Sequence, residues 1–193
     1  MRRQYPYPRS AETIEGLAAY RGSQWGVNYA EAFEVKPTLI KKDFDGILKN
    51  LFERFHIIAR QLLRRYSNRQ TLSITDEYDV QDLLHALLKE HFDDVRPEEW
   101  TPSYAGNCNR MDFLLIQEKI AIEVKMTRKG LGDKELGEQL IIDIAKYQSH
   151  PNCRCLYCFV YDPEGIIRNP RGMEKDLAEL GKEFLVKVFI RPE

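Results

Sequence analysis

Three charged residues stand within or beside apolar runs in the segment RMDFLLIQEKIAIEVKMTRKGL, residues 110–131. Asp112 directly precedes the run FLLI, while Glu123 and Lys125 flank a valine inside the second run. Short apolar runs are typical of buried strands, whereas charged side chains are rarely buried unless they are paired or bind a metal. The placement of these residues indicates a site with a chemical role.

Glu123 and Lys125 are expected to share one face of a strand, because alternate residues of a strand point to the same side. The apolar residues of that strand then face the opposite side and enter a core: Ile120, Ile122, Val124 and Met126. Pairing of the two strands would bring Asp112 beside Glu123. Adjacent carboxylates repel, so one stays protonated unless a cation lies between them.

A divalent cation resolves this repulsion. Oxygen ligands with open water positions suit Mg²⁺ or Mn²⁺, so Asp112 and Glu123 are predicted metal ligands, and the backbone carbonyl of Val124 is placed to add a third oxygen. The Lys125 ammonium can orient the attacking water or stabilise charge on a phosphate. Two acids, a lysine and a divalent cation together predict phosphodiester hydrolysis. From the residues alone an alternative stays open, in which Glu123 and Lys125 form the polar face of an edge strand and Asp112 caps a turn.

The surrounding elements are predicted from hydrophobic periodicity and turn residues. Helical spacing predicts three long helices, at residues 43–66, 79–92 and 134–150. Strand-like runs occupy residues 111–116, 119–126, 154–162 and 184–190, and the first two have hairpin spacing. A short helix precedes the last strand, and residues 93–109 are expected to form an irregular connection. This order predicts an α/β fold with a central sheet flanked by helices.

The composition fits one globular domain with an added helical segment. Of 193 residues, 43% are hydrophobic and 31% charged, and the net charge of −1 gives no global basic field that would indicate nucleic acid. No apolar run approaches the length of a membrane span, and the N-terminus lacks the apolar stretch of a signal peptide, so a soluble, cytoplasmic protein is expected. The phosphate-binding loop G-X4-G-K-[ST] and the G-X-S-X-G elbow are both absent from the sequence.

Positive charge is concentrated at the end of the first long helix, at Arg60, Arg64, Arg65 and Arg69. These side chains either form a solvated face that complements the helix C-terminus or contact phosphates.

The motifs RMDFLL and IAIEVKMTR resemble the active-site core of the PD-(D/E)XK nuclease superfamily, an acid followed by (D/E)-X-K on paired strands. Met111 stands where the superfamily's motif has proline. Three further stretches resemble the DpnII/MboI-type restriction endonuclease domains: DEYDVQDLLHALLKEHFDDVRPEEWTPSYAGNCNRMDFLL, KELGEQLIIDIAKYQSHP and CFVYDPEGIIRNP. The resemblance spans about residues 43–178. It implies a restriction-endonuclease-like αβββαβ core, Mg²⁺-dependent cleavage of DNA in bacterial genome defence, and dimerisation or a partner subunit.

The resemblance also implies roles for individual residues. Asp112 and Glu123 correspond to metal ligands and Lys125 to the catalytic lysine. Related nucleases often supply a further acid from the first helix, for which the candidates are Glu77, Asp79 and Gln81. The alternatives are helix capping for Asp79 and structural hydrogen bonding for Gln81.

On the helix after the E-V-K motif, Gln139, Asp143 and Tyr147 recur every four residues and form one line. A related branch of nucleases uses a Gln and a Tyr here, so Gln139 is a candidate catalytic residue. The basic exit of the catalytic strand either holds the phosphates of the scissile strand or forms a solvated loop. The candidates for DNA binding are Thr127, Arg128, Lys129 and Arg110.

These observations predict an N-terminal helical extension at residues 1–70 and a nuclease-like domain at residues 71–193. The predicted function is a Mg²⁺-dependent DNA endonuclease, with Mn²⁺ as a substitute ion. Two alternatives stay open: a non-cleaving DNA- or protein-binding module of the same fold, and a nuclease that acts on RNA.

Overall fold

The computed structural model describes residues 10–31, 43–98, 110–148, 150–181 and 184–192. The chain divides into two compact units, Met1–Lys42 and Asp43–Glu193. In the first unit the described residues form helix α1 (Ala11–Ser23), which begins where the Ser10 side chain accepts a hydrogen bond from the Thr13 amide.

The second unit contains a mixed sheet of five strands in the order β1-β2-β3-β4-β5. The strands are β1 (Val95–Pro97), β2 (Phe113–Leu115), β3 (Ile120–Met126), β4 (Cys155–Tyr161) and β5 (Leu185–Arg191). The pairs β1–β2 and β2–β3 are antiparallel, whereas β3, β4 and β5 run parallel to one another. The helices are α2 (Phe44–Leu63), α3 (Glu77–Lys89), α4 (Asp133–Gln148) and α5 (Pro170–Glu179), with a short 3₁₀ turn at Tyr66–Asn68.

The order from α3 to β4 is αβββαβ, so the predicted core is confirmed. The hairpin between β2 and β3 is confirmed as well, and its turn is closed by Lys119, whose φ of 59° is in the left-handed region. Residues 95–97 were expected to be irregular and instead form β1. The expectation was wrong because a strand of three residues, which ends at a proline, is too short to show an alternating pattern.

Two hydrophobic cores cover the two faces of the sheet. On one face, α2 and α3 pack against alternate side chains of the central strands. Phe52 of α2 is fully buried and stacks on Phe159 of β4 with ring centroids 4.7 Å apart, and Phe55 contacts the same ring edge-on at 5.0 Å. On the other face, buried residues of α4 and α5 pack against the sheet. The sheet is therefore held from both sides, as in a parallel α/β arrangement.

The helix α2 belongs to the same compact unit as the sheet, because its buried stripe forms part of the first core. The domain boundary predicted at residue 70 therefore falls inside the second unit, and the division in the structure lies between residues 42 and 43. The predicted N-cap of this helix is confirmed, since the Asp43 side chain accepts a hydrogen bond from the Gly46 amide at 3.0 Å. Across the described parts of the chain, no helix is both long enough and apolar enough to cross a membrane.

Candidate active site

The register of β2 and β3 brings the first two predicted site residues together. Phe113 pairs with Ile122, so the preceding residue, Asp112, comes opposite Glu123 as the antiparallel strands continue. The Asp112 carboxylate is fixed in this position, because its Oδ2 accepts a hydrogen bond from the Val124 amide at 2.7 Å. The predicted convergence of the two acids is therefore present in the structure.

Glu123 is buried, with only 6% of its surface exposed, on the face of β3 that lies under α4. Each of its carboxylate oxygens has a partner. Oε1 contacts the Nζ atom of Lys125, and Oε2 accepts a hydrogen bond from the hydroxyl group of Tyr147. The neighbouring residues of β3 point into the opposite core, as the alternation predicted.

Lys125 is surrounded by acids. Besides Glu123, its Nζ lies 3.6 Å from Oδ2 of Asp143 and 4.0 Å from Oε1 of Glu77. These carboxylates raise the pKa of the ammonium despite its burial, so Lys125 stays charged at every physiological pH. The Glu77 carboxylate is itself held by the sheet, since its Oε2 accepts from the Met126 amide at 3.3 Å.

The two facing acids have pKa values well above their ordinary range. Burial, reinforced by the charge of Asp112, raises the pKa of Glu123 to about 8. Burial also raises the pKa of Asp112 to about 6, and the charges of Glu77 and Asp143 add to the effect. Lys125 alone does not offset the acids that face it, so the site carries an excess of negative charge whenever all of them are ionised.

This donor set fits a hard divalent cation. Asp112 and Glu123 offer carboxylate oxygens, the donors that Mg²⁺ and Mn²⁺ prefer, and the positive charge of a cation between them would favour the ionised form of both buried acids. Within the described residues, no group of three or more His, Cys, Asp and Glu side chains forms a metal-binding cluster. A cation held by the two carboxylates therefore needs backbone oxygen or water to complete its coordination, and Val124 stays the predicted backbone donor.

A cavity of about 240 Å³ opens beside Lys125 at the C-terminal end of β3. Its walls come from the loop before α3, the end of β3 and the following loop, and α4. The lining residues are Thr75, Asp76, Glu77, Lys125, Met126, Thr127, Arg128, Leu131 and Gln139. The predicted residues that line this opening beside Lys125 are Glu77, Thr127, Arg128 and Gln139.

The other two first-helix candidates lie outside this cavity lining. Asp79 forms a capping box with Asp76, in which its Oδ2 accepts from the Asp76 amide at 3.2 Å and its amide donates to Asp76 Oδ1 at 3.0 Å. The same Oδ2 also accepts from the Thr75 amide at 2.7 Å and the Thr75 hydroxyl at 2.6 Å. These bonds lower the pKa of Asp79. The capping alternative therefore describes the contacts of Asp79. Gln81, two positions after Asp79, is half-buried.

The predicted DNA-binding residues have different surroundings. The Thr127 hydroxyl is buried and donates to Oδ1 of Asp162 at 2.7 Å, so it holds the end of β3 against the loop after β4. Arg128 and Lys129 are exposed in the loop that follows. Arg110 is exposed and forms an ion pair with Glu98.

Sequence reasoning chose Gln139 on α4 and gave less weight to the two residues that follow it in the same line. The structure places Tyr147 in contact with Glu123, and Asp143 beside Lys125. The four-residue spacing that links the three residues was the available signal. It could not show how deeply each one reaches over the sheet, which depends on the position of α4 across β3 and β4.

A comparison with protein-family models finds a match to a known family. The model of the DpnII-MboI family, described as REase_DpnII-MboI, matches residues 46–193, which include both cores and the site. Searches of curated proteins and of solved structures give no significant match.

Proposed function

The chain belongs to the DpnII-MboI restriction endonuclease family, and on that premise we propose that it is a Mg²⁺-dependent endonuclease that hydrolyses DNA phosphodiester bonds in bacterial genome defence. The observation that carries the proposal is the meeting of Asp112 and Glu123 across the β2–β3 pair, with Lys125 in contact with Glu123. DNA is the partner that follows from this function, and dimerisation stays a prediction.

In the proposed mechanism Asp112 and Glu123 would hold the cation. Bound Mg²⁺ supplies Lewis acidity to such a site, offsetting the charge of the phosphate and favouring ionisation of the attacking water. The Val124 amide keeps the Asp112 carboxylate turned toward Glu123, and the Tyr147 hydroxyl keeps the Glu123 carboxylate from rotating away. Both acids are therefore oriented before a cation arrives.

Lys125 provides the positive charge for the reacting groups. Its pKa is raised by the surrounding carboxylates, so it acts as a hydrogen-bond donor and not as a base. From the wall of the open cavity its ammonium can donate to a phosphate oxygen or to the attacking water. Electrostatic stabilisation of this kind is among the largest contributions to catalysis in preorganised sites.

The test is cleavage of closed circular plasmid DNA, which only an endonuclease can linearise. With Mg²⁺ present, Glu123→Gln and Lys125→Ala are expected to reduce the cleavage rate on the order of 100-fold or more. The matched controls are Glu138→Gln and Lys134→Ala, which alter an exposed ion pair on α4 and should retain full activity. Equal cleavage by the wild type and both site variants would remove the proposal.

The same preparation separates the other functions. A structured RNA that is cut while plasmid stays intact, with the same dependence on Glu123 and Lys125, would assign the site to RNA. DNA binding without cleavage in Mg²⁺ or Mn²⁺ would identify a non-cleaving module instead.

A further inference from the structure

A run of arginines without acidic neighbours joins α2 to α3. Between residues 54 and 75 the sequence contains five arginines and neither aspartate nor glutamate, although the whole chain has a net charge of −1. We use the name basic segment for residues 60–69, which contain Arg60, Arg64, Arg65 and Arg69. The active-site residues proposed above do not include any part of it.

The guanidinium groups of the basic segment are exposed. Arg65 donates to the carbonyl oxygen of Gln70 at 2.6 Å, and Arg69 donates to that of Tyr66 at 3.1 Å, so both help to fix the shape of the loop. Within the described residues, none of the four arginines forms an ion pair with a carboxylate. Their positive charge is therefore presented to the solvent with no carboxylate paired to it.

The segment begins at the end of the sheet where the candidate active site opens. Helix α2 runs along β4, with Phe52 on Phe159 and then His56 on Tyr161, where its Nδ1 lies 2.9 Å from the tyrosine hydroxyl oxygen. Tyr161 pairs with Met126 of β3, a residue of the cavity wall. Arg60 and Arg64 follow His56 at four-residue intervals on the same side of the helix.

The other end of the segment leads to the same cavity. Six residues after Arg69 the chain reaches Thr75, which lines the cavity together with Asp76 and Glu77. Six residues span at most about 20 Å when fully extended. Both ends of the basic segment are thus tied to elements around the cavity that Lys125 borders.

We propose that the basic segment binds the sugar-phosphate backbone of duplex DNA beside the candidate active site, with Arg60 and Arg64 as phosphate contacts. The inference deepens the proposed function and rests on it for the identity of the substrate. The planar guanidinium fork matches phosphate geometry better than a lysine does. Tyr66, which is 84% exposed at the tip of the loop, adds an apolar surface that could contact a backbone sugar.

A solvated helix end does not account for all four arginines of the basic segment. The partial negative charge at a helix C-terminus attracts cations within its last turn, which covers Arg60 and the capping residue Arg64. Arg65 and Arg69 lie beyond the helix, on a loop with no carboxylate nearby in sequence. An extended polyanion is the ligand that would use the whole segment.

The experiment measures binding of a fluorescently labelled DNA duplex by anisotropy in EDTA, between 50 and 400 mM salt. Each phosphate contact adds about 0.9 to the slope of log K against log salt. The double variant Arg60→Gln/Arg64→Gln is therefore expected to lower that slope by about 1.8 and to weaken binding at 0.1 M salt by more than about 10-fold. The single variants, each expected to lower the slope by about 0.9, are measured as well, so that the result does not depend on folding of the double variant.

The matched control is Arg154→Gln. Arg154 is an exposed arginine just before β4, and its amide bonds to Lys119 at the end of the sheet opposite the cavity. This variant should keep the wild-type slope. The inference is overturned if the Arg60 and Arg64 variants keep it too, if Arg154→Gln lowers it equally, or if the wild type does not bind duplex DNA.

Binding and cleavage separate the two proposals. Salt-dependent binding through Arg60 and Arg64 without cleavage in Mg²⁺ or Mn²⁺ would support the basic segment and remove the endonuclease proposal. Cleavage that depends on Lys125, with unchanged binding by the arginine variants, would do the reverse.

Discussion

Removal of the buried charge at Glu123 should stabilise the metal-free protein, and the gain should grow with pH. Burial and the charge of Asp112 raise the pKa of Glu123 from 4.5 to about 8. The folded state therefore keeps the proton to a higher pH than the unfolded chain does. Between these two pKa values the folded protein holds the Glu123 proton and the unfolded chain has released it. The stability contributed by the protonated acid is therefore lost as the pH rises.

The size of the effect follows from the same two values. A difference of one pH unit between folded and unfolded pKa values is worth about 1.4 kcal/mol. Ionisation of Glu123 should thus lower the free energy of unfolding by roughly 5 kcal/mol between about pH 4 and pH 9. Glu123→Gln keeps the shape of the side chain and cannot ionise, so the variant should match the wild type near pH 4 and exceed it increasingly up to pH 8.

Urea unfolding followed by circular dichroism in EDTA measures this difference at a series of pH values. The control Glu138→Gln changes an exposed acid on α4, and its difference from the wild type should stay constant with pH. If the curves of Glu123→Gln and the wild type run parallel from pH 5 to pH 8, Glu123 has an ordinary pKa and the electrostatic account of the site is wrong.

Three further changes test the contacts around this site and the core beneath it. Tyr147→Phe removes the hydroxyl donor to Glu123 and should cost about 1–3 kcal/mol by urea unfolding, because a buried carboxylate oxygen loses its partner; an unchanged unfolding midpoint would contradict the contact. Asp79→Ala should lower the free energy of unfolding by about 1 kcal/mol through the lost capping box. Loss of plasmid cleavage by a variant that is still folded would instead assign Asp79 to the active site. Phe52→Ala should cost about 3–5 kcal/mol by the same measurement, because its fully buried ring stacks on Phe159, and a cost below about 1 kcal/mol would show that the core does not depend on this packing.

The order of the elements and the pairing of Asp112 with Glu123 could be predicted because they depend on short-range patterns. The alternation in IAIEVKM fixes which side chains of β3 share a face. The four-residue turn at 116–119 then sets the register that brings the acids together. Neither step needs information from distant parts of the chain.

The features that sequence reasoning did not resolve depend on packing between distant segments. Tyr147 reaches Glu123 only because of the position at which α4 packs on β3. Helical spacing in the sequence does not give that position. The boundary at residue 70 was drawn where the helical pattern ends, but α2 is joined to the sheet by contacts such as Phe52 with Phe159. Membership of a compact unit is a property of such long-range contacts.

The opposite faces of β3 explain how the chain tolerates a strained cluster of acids. One face buries Ile120, Ile122 and Val124 among hydrocarbon side chains, and each fully buried side chain of this kind contributes about 1.5–3 kcal/mol. The other face holds Glu123 and Lys125. Because Glu123 is buried, its ionisation lowers the stability of the fold. Since a cation that binds only the folded state stabilises it by mass action, the ion proposed for cleavage would also relieve this cost. Stability of the fold and occupancy of the proposed metal site should therefore rise together with Mg²⁺ concentration, most steeply where Glu123 is ionised.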